Sequence, residues 1–122
     1  MNINIKATNI ELTEAIDSYV RSRIDGFDKF KKPEEEMQVF VEVGKTSNRH
    51  KRGDYYRAEF NIEISGKKFY TFSEKSDLYK AIDDAKKEIL RQIKNNQGRK
   101  RELFKKGSTA IKKLLRGFSH KE

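Results

Sequence analysis

The 122-residue chain has no cysteine, which excludes disulfides and thiolate metal sites. It has only two histidines: His50 lies in a basic loop and His120 in the tail, and neither pattern suggests a His–nucleophile or His–carboxylate pair. Glu34-Glu35-Glu36 follows the lone proline, Pro33, and reads as a solvated loop, because no second acidic cluster or histidine completes a hard-cation site. Gly107-Ser108 is not part of a G-x-x-x-x-G-K-[ST] phosphate loop. An enzyme is therefore not expected, nor a metal, cofactor or small-molecule substrate. No apolar run approaches the roughly 20 residues of a membrane-spanning helix, and the opening MNINIKATNIEL lacks the basic and apolar regions of a signal peptide. The expectation is a cytoplasmic protein with no membrane partner. Apolar residues make up 34% of the chain, below the roughly 45–50% usual for globular domains, so part of it should lie outside a core. Eight Phe and five Tyr compensate through the large area each buries.

What is abundant is positive charge, and it is unevenly placed. Residues 1–83 carry 15 Lys/Arg against 15 Asp/Glu, whereas residues 84–122 carry 13 against 4, so the whole net charge of +9 belongs to the last third. Such concentration is the footprint of a protein that meets a polyanion.

Hydrophobic spacing orders the chain as β-α-β-β-β-α. Ile3 and Ile5 alternate with polar residues in a short first strand. Thr13 is placed to cap a helix over about 14–31, with Ile16, Val20, Ile24 and Phe27 on one face and Pro33 beyond its end. Met37–Val43 and Tyr55–Ile64 alternate with period two, and Ser65-Gly66 turns the second of these into a returning strand, Lys67–Ser73. Leu78, Ala81, Ile82, Ala85, Ile89 and Ile93 form a helical stripe over about 76–96, which Gly98 is expected to end. The economical fold is α+β: a four-stranded, mostly antiparallel sheet with both helices on one face. Phe69, Tyr70 and Phe72 are expected to be buried beneath those helices. Residues 1–97 form the domain and 98–122 a basic extension, with a short amphipathic helix capped at Ser108 or Thr109.

On the second helix Lys80, Lys87, Arg91 and Lys94 lie within about 60° of one another over about 21 Å, nearly opposite the apolar stripe. A Lys/Arg face on a helix is ordinarily just solvated, but the charge asymmetry favours a nucleic-acid backbone. Arg99, Lys100 and Arg101 continue the basic run. The loop residues Lys45, Arg49, Lys51 and Arg52 offer a second phosphate contact. Asp83 is read as orienting a basic neighbour, and Tyr79 as core edge.

Asp77-Leu78-Tyr79-Lys80-Ala81-Ile82-Asp83, followed by Arg91-Gln92-Ile93, resembles the D-[LM]-Y-x-A-I-[DN] … R-Q-[LI] pattern of the ribosome hibernation promoting factor family, also called ribosome-associated translation inhibitors. Asn9–Ile16, Phe27-Asp28-Lys29-Phe30 and Tyr56-Arg57-Ala58-Glu59 extend the resemblance across about residues 1–97, as in the family's short form. It implies a fold similar to double-stranded RNA-binding domains and a non-enzymatic stress-response role. The protein would bind the small ribosomal subunit and its rRNA in the channel used by mRNA and tRNA, compete with both, inhibit translation and protect idle ribosomes. Arg23, Lys29 and Arg91 fall at family basic positions, and Lys94 at one often basic. Gly26, Glu88 and Asn95 stand where relatives often have Lys. Three other readings are a general binder of duplex RNA, a membrane-surface segment at Ser108–Phe118, and a nuclease, for which no metal-ligand set is visible. If the basic tail follows rRNA, deleting residues 99–122 weakens ribosome binding and flattens its salt dependence in co-sedimentation; unchanged affinity refutes this role.

Overall fold

The computed structural model describes the backbone of residues 1–46 and 53–119, and the side chains of these residues up to Arg99 together with Leu103. Strands β1 (Asn2–Thr8), β2 (Met37–Thr46), β3 (Tyr55–Ile64) and β4 (Lys67–Lys75) make one sheet in the order β1-β2-β3-β4. β1 runs parallel to β2, and the other two pairings are antiparallel. Helix α1 (Glu14–Ile24) lies between β1 and β2 in sequence, and α2 (Leu78–Ser119) follows β4. The order is the expected β-α-β-β-β-α.

Period-two alternation decides which side chains leave water. Met37, Val39, Val41 and Val43 of β2 and Ala58, Phe60, Ile62 and Ile64 of β3 are all buried. Val20 and Ile24 of α1 and Leu78, Ala81, Ile82, Ala85 and Ile89 of α2 supply the apolar stripes that complete this core. Ser65 (φ 47°) and Gly66 (φ 83°) close the β3–β4 hairpin with two positive-φ residues, the geometry a two-residue turn needs to match strand twist.

Three expectations change. α1 stops at Ile24 rather than near residue 31, because the chain is extended at Asp25 and Gly26 takes φ +87°, a conformation open to glycine. A separate 3-10 turn, Phe27–Phe30, then buries Phe27, so the apolar spacing continued through a different element. Of the three β4 aromatics only Phe69 is buried. Tyr70 and Phe72 are 46% and 51% exposed on the open face, with Phe40 at 48%. The helix-facing positions of β4 are Phe69, Thr71 and Ser73, and Ser73 Oγ donates to Asp84 Oδ2 of α2 at 2.7 Å, so a polar contact stands where an aromatic one was expected. Finally, α2 runs through Gly98, Gly107 and Ser108 without a break. A single interior glycine costs only about 1 kcal/mol relative to alanine, too little to stop a helix favoured on both sides.

Two units are distinguished. Met1–Arg91 holds the sheet, α1 and the first turns of α2; the second, from Gln92 onward, holds the rest of α2.

β1 approaches β2 closely at Gly44, the register partner of Thr8. A Cβ there would sit 2.7 Å from the Thr8 carbonyl oxygen, a backbone atom with little room to yield. Gly44→Ala is expected to destabilise the protein by roughly 1–3 kcal/mol in urea unfolding; wild-type stability would show that β1 shifts freely.

Candidate nucleic-acid interface

Two local features start the helices that carry the cations. Thr13 Oγ1 accepts from Ile16 N at 3.2 Å at the head of α1, the expected cap. Asp77 does the same for α2: its Oδ1 accepts from Tyr79 N at 2.8 Å and its carbonyl from Ala81 N at 3.0 Å. With Leu78, Ile82, Ala85 and Ile89 turned inward, the helical period turns Lys80, Lys87 and Arg91 to solvent over about 16 Å. Lys94 and Arg99, further along α2, are also exposed. Among the described residues no carboxylate lies within ion-pair distance of Lys80, Lys87 or Lys94.

Arg91 is held by its own helix. Its Nε donates to Glu88 Oε2 at 3.1 Å and its Nη2 to Glu88 Oε1. The hydrogen bond from Arg91 holds the Glu88 carboxyl below its usual range, and Glu88 in turn raises Arg91. Glu88 thus occupies one of the expected contact cations.

Arg23 reaches across to α2. Its Nε donates to Asp83 Oδ1 at 2.7 Å and its Nη2 to the Tyr19 hydroxyl at 2.9 Å. Tyr19 OH donates to the same carboxylate at 2.8 Å, and the Arg23 guanidinium carbon lies 4.4 Å from the Tyr19 ring centroid. Tyr79 meets Tyr19 edge-on, with centroids 4.7 Å apart. The basic neighbour of Asp83 is therefore Arg23, sixty positions away in sequence, and Tyr79 is part of the same cluster. Sequence spacing could not find this pairing, since it depends on how α1 lies against α2. Asp83 and Asp84 diverge as adjacent helix positions must: one meets Arg23, the other Ser73.

The remaining sites are separate. Lys29 is exposed on the 3-10 turn rather than on α1, its ammonium 5.3 Å from the Phe30 ring centroid. Lys45 pairs with Asp54 at 3.2 Å at the far end of β2. Arg49, Lys51 and Arg52 lie outside the described residues, and Lys100 and Arg101 are described only as backbone of α2. Glu35 accepts from Lys32 N at 2.8 Å and closes a local turn. Among the described residues no group of three acidic, His or Cys side chains is arranged to hold a metal.

Partial burial would raise the Asp83 carboxyl, but the hydrogen bonds from Arg23 and Tyr19 outweigh it and the group is lowered from its ordinary 3.8. A carboxyl depressed by folding stabilises the folded state above its ordinary value and loses that contribution as pH falls through the depressed one. Asp83→Asn should therefore be less stable than wild type at about pH 7, with the gap closing below about pH 4 in denaturant titrations. A gap independent of pH would show that the ion pair is not its cause.

The sequence comparisons agree with this architecture. A family model described as sigma 54 modulation protein / S30EA ribosomal protein matches residues 3–101. The ribosome hibernation promoting factors of Escherichia coli K12 and Klebsiella oxytoca are 23% and 24% identical over 93 residues, which is 76% of this chain and 90% of each relative. The crystal structure of the Thermus thermophilus Protein Y N-terminal domain superimposes with a TM-score of 0.65 at 28% identity, covering 78% of this chain and 98% of that one. A ribosomal subunit interface protein from Coxiella burnetii shares the fold, with a TM-score of 0.63 at 13% identity over 80% and 99% of the two chains. The resemblance noted in helix α2 extends over most of the protein, and the chain belongs to the sigma 54 modulation protein / S30EA ribosomal protein family.

Proposed function

We propose that this protein is a cytoplasmic ribosome hibernation factor that binds rRNA of the small subunit within the mRNA/tRNA channel. There it excludes mRNA and tRNA, inhibits translation and protects idle ribosomes. The observation that carries this reading is the row Lys80, Lys87 and Arg91, aimed outward because the opposite face of α2 is buried. Arg23, tied to α2 by Asp83, adds a cation from α1. Lys94 and Arg99 are further exposed cations of α2, Lys100 and Arg101 follow them in sequence, and Lys29 adds a cation on the 3-10 turn. The relatives named ribosome hibernation promoting factor support the choice of a ribosome over RNA in general. The role is one of binding rather than catalysis.

Charges on a regular helix read backbone geometry, not base sequence, so affinity depends on salt through counterion release. Arg91 must exchange Glu88 for a phosphate, a swap between two exposed acceptors that costs little. The alternative is a general duplex-RNA binder, which the same fold and charges also suit.

Co-sedimentation with separated subunits decides between them. The wild-type protein should bind the small subunit stoichiometrically and resist duplex-RNA competitor; equal loss to free duplex would favour the general binder. Replacing Lys80, Lys87 and Arg91 together by Ala should lower the slope of log affinity against log salt by roughly 0.7–0.9 for each phosphate that is no longer neutralised. An unchanged slope would remove this face of α2 from the interface.

A further inference from the structure

Unbroken passage of α2 through Gly98, Gly107 and Ser108 changes what its end can do. Over Leu103–Phe118 the backbone is one regular helix of about 24 Å. At 100° per residue, Leu103, Phe104, Ile111, Leu114, Leu115 and Phe118 fall within an arc of about 120° that contains no charged position. Lys105, Lys106, Lys112, Lys113 and Arg116 occupy the other side, and no acidic residue occurs from 103 to 121. Leu103 is 68% exposed.

Phosphates on RNA account for the cations but not for the arc, since a charged backbone offers no reason to keep six large apolar residues in register. Pairing with a second copy would bury the arc but set two rows of cations side by side with no acidic partner between them. A negatively charged lipid surface satisfies both halves: its acyl boundary takes the arc and its headgroup phosphates take the lysines. The segment does not span a bilayer, because it is too short and its other side is charged; no helix among the described residues is long and apolar enough to cross a membrane.

We propose that Leu103–Phe118 is an interfacial helix that binds anionic phospholipid surfaces, a second binding function carried by the same helix whose first turns bear the RNA-facing row. It replaces the expectation of no membrane partner. The inference stands independently of the ribosomal reading, since it rests on the apolar arc rather than on Lys80, Lys87 and Arg91.

The test uses the full chain and flotation with two kinds of vesicle: phosphatidylcholine alone, and phosphatidylcholine mixed with phosphatidylglycerol. Wild-type protein should float with the mixed vesicles and not with phosphatidylcholine. Ile111→Ser, Leu114→Ser and Phe118→Ser together leave every charge in place and should weaken vesicle binding at least about tenfold, while co-sedimentation with small subunits stays at the wild-type level. The counterpart Ile111→Val, Leu114→Met and Phe118→Leu should retain vesicle binding, which separates loss of the arc from loss of fold. Failure of the wild-type protein to float with mixed vesicles overturns the proposal. So does a serine variant that floats like wild type, which would mean that charge alone attracts the vesicle. A serine variant that keeps vesicle binding but loses subunit binding assigns the arc to the ribosome instead.

Discussion

Everything outside the core depends on one constraint: a single face of the sheet is kept dry, by two helices. Val39, Val41 and Val43 on β2 and Ala58, Phe60 and Ile62 on β3 need cover, and Val20 and Ile24 of α1 with Ile82, Ala85 and Ile89 of α2 supply it. Burying several large side chains at about 25 cal/mol per Å² outweighs any surface ion pair here. Once the stripe of α2 is committed inward, the helical period leaves Lys80, Lys87 and Arg91 no direction but outward. The cationic row is thus a consequence of packing and needs no dedicated scaffold.

The opposite face of the sheet is left open, and its composition differs. Arg57 lies 3.9 Å from the Phe72 ring centroid and is bound by Glu59 at 2.7 Å and Glu74 at 2.9 Å. Its guanidinium therefore serves as a lid on an exposed aromatic rather than as a free phosphate contact. Basic residues on the helices and mixed charge on the open sheet face give the two sides of the sheet-bearing unit different character.

Between the helices, the Tyr19–Arg23–Asp83 cluster links structure to site. It fixes where the Arg23 guanidinium sits relative to α2, and it explains an acidic residue within a basic surface. Glu88 against Arg91 is a looser version of the same device, confined to one helix and exposed to solvent.

The order of elements, the strand alternation, the Ser65-Gly66 turn, the Thr13 cap and the outward row on α2 were all legible in the sequence, because each rests on interactions or periodicities only a few residues long. Residues whose state depends on distant partners were not. Tyr70 and Phe72 looked like core because both helices need a sheet face to cover, yet strand parity combined with the position of β4 put Thr71 and Ser73 inward. The break at Gly26 and the continuity through Gly98 exchanged the expected roles of two glycines: a lone glycine permits a helix to end without requiring it. The partner of Asp83 was invisible, since sixty residues separate it from Arg23. Local spacing determined which faces are apolar and which are charged; only tertiary packing decided which charges are paired across elements, because that is set by where helices and strands finally lie against each other.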